Sequence, residues 1–140
     1  MDQVQSIPAA REPQRSPQAA LSDWLALWQG RQYGVMARRM PLPLHGGKRR
    51  MAPEVRAAYP PGLLTYNLLT GYDTDAAVAV IPAVLVRLDK GEQRTQLWRF
   101  RMMHLDGAHQ PLPRDRSGGR WVLQSASVVP TPPLPQTPQA

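Results

Sequence analysis

The chain has 140 residues, 42% hydrophobic and 19% charged, with 17 Lys and Arg against 10 Asp and Glu for a formal net charge of +7. That length suits one domain, and the absence of cysteine excludes a disulfide scaffold, cysteine-bound zinc and a cysteine nucleophile. No run approaches the roughly 20 apolar residues of a membrane-spanning helix, and Met1-Asp2-Gln3-Val4-Gln5 lacks the basic and apolar regions of a secretory signal, so a cytoplasmic location is expected.

The first fifteen residues are rich in Gln, Pro and Arg. They carry too little apolar surface to repay the entropy of ordering, so 1–15 reads as a flexible arm. Ser16-Pro17 is a helix start, because serine caps and proline suits the first helical position. Leu21, Trp24, Leu25 and Trp28 then recur at helical spacing as one apolar stripe. Gly30 interrupts it, and Tyr33, Met36, Ala37 and Met40 repeat the spacing in a second helix. Pro41 and Pro43 stop that helix ahead of a basic loop at 44–50, and Pro53 with Glu54 opens a short third helix.

After Pro60-Pro61-Gly62 the apolar period changes to two. Leu64, Tyr66 and Leu68 share a face in the first strand. From Ala76 to Leu88 both faces are mostly apolar, the pattern of a strand covered on both sides, and Pro82 within it predicts an edge position or a bulge. Asp89-Lys90-Gly91-Glu92 reads as a hairpin turn. The returning strand sets Trp98, Phe100, Met102 and His104 on one face and Leu97, Arg99, Arg101 and Met103 on the other. A loop at 106–119 precedes a last strand from Arg120 to Val129. Residues 131–140 form a Pro-rich tail, read as a solvated spacer. Helices followed by strands indicate an α+β domain over 16–130, with N-terminal helices packed on a strongly bent antiparallel sheet of about four strands.

Three segments carry a family resemblance. They are the helix pair from Trp24 to Met36, the strands around Asp89-Lys90-Gly91-Glu92, and the closing Gly118-Gly119-Arg120-Trp121-Val122-Leu123. Together they resemble the superfamily of nuclear transport factor 2, ketosteroid isomerase and SnoaL-type cyclases, a cystatin-like cone. The resemblance implies a pocket between sheet and helices, and frequent pairing of protomers through the outer sheet face.

Tyr33, Tyr66, Trp98, His104 and Trp121 are the candidate pocket residues, since an inward histidine with two phenols could polarise a carbonyl or move a proton. No acidic residue falls on an inner strand face, however. The isomerase pattern of an inward carboxylate base therefore does not map onto this chain, and no residue is assigned a catalytic role. The histidines His45, His104 and His109 lack ligand spacing, no phosphate loop is present, and neither metal nor cofactor is expected.

Leu97, Arg99, Arg101 and Met103 are the candidate interface, because arginine and methionine are enriched where proteins meet. Lys48, Arg49, Arg50 and Arg56 form a basic patch. It lacks the interleaved aromatics that single-strand binders use, so nucleic acid ranks last among partners. The leading expectation is a non-enzymatic interaction module that binds itself or a partner protein through the outer sheet face. The alternative is a small apolar-ligand binder, or an isomerase- or cyclase-type enzyme, using the cone pocket.

Overall fold

A computed structural model describes residues 16–40 and 51–130. The arm at 1–15, the tail at 131–140 and three members of the basic patch, Lys48, Arg49 and Arg50, lie outside the described residues. Among the described residues three helices, α1 (Pro17–Gln29), α2 (Tyr33–Arg39) and α3 (Ala52–Ala58), precede five strands: β1 (Leu63–Leu68), β2 (Tyr72–Asp75), β3 (Val78–Asp89), β4 (Glu92–Leu105) and β5 (Arg120–Val128). The sheet is antiparallel and open, in the order β1-β3-β4-β5, with β2 also paired to β3. This is the expected α+β arrangement.

Local chemistry explains the helix ends. The Ser16 side chain accepts a hydrogen bond from Ala19 N at 3.0 Å, which satisfies one of the four amides that every helix start leaves free. Pro17, whose missing N–H costs nothing there, is fully buried beneath the helix. At the other end Gly30 N, Arg31 N and Gln32 N donate to Ala26 O, Trp28 O and Leu27 O, so the last carbonyls are used as the chain turns into α2. In α3 the Glu54 carboxylate accepts from Met51 N at 2.8 Å.

The helices sit on one face of the sheet. Leu21, Leu25, Trp28 and Met36 on α1 and α2 are fully buried, as are Ile81, Ala83, Leu85 and Phe100 on β3 and β4. Four aromatic rings fill the middle. Trp28 meets Tyr59 at 5.2 Å and Trp98 at 5.3 Å between centroids, both edge to face, and Trp98 stacks on Phe100 at 5.8 Å. A buried ring of this kind removes on the order of 150–250 Å² from water, about 4–6 kcal/mol at 25 cal/mol/Å². The tryptophan stripe thus forms the core that its spacing predicts.

Two details of the sheet differ from the sequence expectation. The register slips between Leu63 and Thr65, so Leu63 rather than Leu64 turns inward with Tyr66 and Leu68, and Leu64 is left exposed. Pro82 lies in a strand paired on both sides, not at an edge. The irregularity it demands falls on the neighbour instead. Pro82 O accepts from Leu69 N at 2.8 Å, and residues of an antiparallel ladder point N–H and C=O to the same side. The missing donor of Pro82 therefore faces the β1–β2 edge, and that edge breaks between Leu68, paired with Ala83, and Tyr72, paired with Val80. The β3–β4 turn is a two-residue loop with Lys90 at φ 53° and Gly91 at φ 83°, the left-handed pair that matches strand twist.

Candidate functional site

The five candidate pocket residues do not line one cavity, and only His104 and Trp121 meet as a pair. Tyr33 is buried in α2 and donates its hydroxyl to Tyr59 O. Burial raises its phenol pKa, against the opposing fields of Arg56, Arg31 and Arg87. Trp98 belongs to the ring cluster and donates Nε1 to Gln96 Oε1 at 3.2 Å. Tyr66 is half-buried on β1, packed against the edge of the core.

His104 and Trp121 pair across β4 and β5, with rings 4.9 Å apart. His104 works as a clamp. Its Nδ1 lies 2.8 Å from Leu112 O, Leu112 N donates back to His104 O at 2.9 Å, and His104 N donates to Ala77 O at 2.7 Å. These bonds bind the loop after β4 to the sheet. Arg114 from that loop lies over the Trp121 ring at 5.2 Å and pairs with Asp73. The inward histidine that the alternation predicts is thus present, and its contacts hold a loop. At the start of the same loop the amides of Ala108 and Gln110 donate to Asp106 Oδ1, and the Gln110 and Ala108 bonds lower the Asp106 pKa.

A cleft opens elsewhere on the helix side. It holds about 270 Å³ between α1, α2 and the β4–β5 ribbon and is lined by Ala20, Asp23, Trp24, Arg39, Met102 and Arg120 to Leu123. Of the five predicted pocket residues only Trp121 reaches it. Asp23 and Arg39 form an ion pair at its rim. Sequence reasoning assigns Trp24 to the apolar stripe of the first helix and singles out no acid beside it. The cleft that Trp24 and Asp23 share with Arg39 and Arg120 follows from packing and has no signal in the spacing.

The outer sheet face is organised by register. Val80, Pro82, Val84 and Val86 of β3 stand opposite Arg101, Arg99, Leu97 and Thr95 of β4. Leu97 and Met103 are half-buried and Arg99 and Arg101 exposed, which places the candidate interface residues on this face. Arg101 Nε donates to Gln124 Oε1 at 2.7 Å, which lays the guanidinium across β4 and β5 without neutralising it. On the first edge Tyr72, opposite Val80, and Leu69 are exposed. Arg56 of the basic patch is exposed on α3.

Among the described residues no group of three His, Asp or Glu side chains could hold a metal ion, and no helix is long and apolar enough to cross a membrane. Compared with protein-family models, curated proteins and solved structures, the chain matches none.

Proposed function

We propose that the chain is a non-enzymatic interaction module whose outer sheet face binds a second copy of itself. The observation that carries the reading is the half-buried row Pro82, Val84 and Val86, joined by half-buried Leu97, on the face opposite the described helices; Val80, at the end of the row, is already buried. A half-buried strand row on a bare sheet face is ordinarily polar; an apolar one is matched to a covering surface.

One further feature favours self-association. Four strands spaced about 4.8 Å apart and paired over some 30 Å present a face of about 600 Å² in projection, the same order as the ~800 Å² each partner contributes to a stable pair.

Light scattering tests the reading. Wild type is expected at twice the 15.6 kDa chain mass, and Val84→Glu and Leu97→Glu at the single mass with unchanged circular dichroism. Arg101→Glu, which places a carboxylate on the same face, is expected to weaken the pair. A wild-type chain that stays monomeric at every concentration overturns self-association and leaves the face to a different protein.

A further inference from the structure

Charge on the outer sheet face has one sign. Arg99 and Arg101 are exposed there, opposite Ser127 and Ser125 of β5 and opposite Pro82 and Val80 of β3. Arg99 has no ion-pair partner among the described residues. Arg101 bonds from Nε to the neutral Gln124 Oε1 at 2.7 Å, so its charge is unanswered too. The acids of the strands are engaged elsewhere. Asp73 pairs with Arg114, Asp89 and Glu92 pair with Arg94, and Asp75 accepts from Ala77 N at 2.8 Å.

A pair of copies joined through this face therefore encloses both arginines of each copy and no strand carboxylate to answer them. Charges that lose water without gaining a partner oppose association, and charged residues are depleted from interface cores for that reason. The register offers a remedy in the form of an anion. Residues two apart on a strand stand about 6.5 Å apart on one face, close enough for two side chains as long as arginine to reach one small ion. Residues directly opposite across antiparallel strands have Cβ atoms about 4.5–5.5 Å apart. The exposed hydroxyls of Ser125 and Ser127 thus stand beside the arginines as neutral donors. Guanidinium forks match the geometry of phosphate-type oxyanions, and such charge-assisted bonds are stronger than neutral ones.

We infer that Arg99, Arg101, Ser125 and Ser127 bind a small multivalent oxyanion of the phosphate type, and that pairing through the sheet face takes this anion up. The site rests on the strand register, and its link to pairing rests on self-association through the same face. An anion held more tightly by the pair than by the single chain strengthens the pair by the same factor, which makes the anion a regulator of the assembly.

Sedimentation at one ionic strength, with chloride replaced by inorganic phosphate or by sulfate, tests the link. Phosphate and sulfate are expected to tighten the pair about 5- to 150-fold relative to chloride. Arg99→Gln and Arg101→Gln should each remove most of that gain. Arg94→Gln, at an arginine already held by Asp89 and Glu92, should leave it intact. Titration of inorganic phosphate into the ¹⁵N-labelled chain, followed by the arginine Nε–H signals, reads the site directly: Arg99 and Arg101 move saturably and Arg94 does not. Equal pairing in all three salts overturns the link and leaves self-association standing. A chain that is monomeric in every salt overturns self-association and the link together, and the titration still decides the site. Absence of saturable movement at Arg99 and Arg101, or equal movement of every arginine signal, overturns the site.

Discussion

Gly119 stands where no side chain fits. A Cβ there would lie 2.6 Å from His104 Nε2 and 2.8 Å from Leu112 Cδ2, and both neighbours are tied by the clamp that holds the loop after β4. The His104 ring cannot give without losing its Nδ1 contact with Leu112 O, whereas the Leu112 methyl can rotate aside. Gly119→Ala is therefore expected to cost about 1–3 kcal/mol, read as a lower denaturation midpoint together with faster amide exchange across 106–119. Gly107→Ala in the same loop is the control, since nothing lies within 4 Å of its Cβ, and it should be nearly silent. His104 shows how far a single residue can be read without its neighbours. Alternation with Trp98, Phe100 and Met102 correctly turns it inward, and an inward histidine is a reasonable candidate for proton transfer. What it does depends on Leu112 and Ala77, respectively eight residues after and 27 before it in sequence, and no spacing rule reports those.

Elements were the most legible level. Ser16-Pro17, the tryptophan stripe and Gly30 mark α1 to within a residue of its observed span, because caps and periodicity are local physics. Ser16→Ala should destabilise the fold by about 1 kcal/mol, measured by chemical denaturation, and Ser16→Asp should restore most of it because aspartate also caps. The hairpin turn was equally plain, since Lys90 and Gly91 both adopt positive φ and glycine tolerates it without cost. The first strand was less so. The register slips at Leu63/Thr65, the strand ends at Leu68 rather than running on to Tyr72, and a short strand, Tyr72–Asp75, follows that the alternation does not predict. The break has its cause in Pro82, on a different strand, so the residue that disturbs the edge and the residues that are disturbed are 10 or more apart in sequence. Gly71 allows the close return, where a Cβ would lie 2.9 Å from Val80 O and Ile81 Cγ1.

For the whole molecule, pairing through the sheet face has a thermodynamic consequence. A folded dimer in equilibrium with unfolded monomers is stabilised by mass action, so the melting temperature of wild type should rise with protein concentration. That of Val84→Glu should stay flat, with scanning calorimetry at several concentrations as the check. The helices-then-strands order, the antiparallel hairpin, the buried tryptophans and the apolar-and-arginine outer face all follow from the sequence by itself, because each depends on caps, turns or a period within a dozen neighbouring residues. Only the tertiary structure decided where the space is. Trp28, Tyr59, Trp98 and Phe100 fill the middle of the interior, and a cleft between helices and sheet opens at Trp24, Asp23, Arg39 and Arg120. A cavity is whatever volume the packed side chains of distant segments fail to fill, and that remainder is a property of their sum, which no one segment encodes.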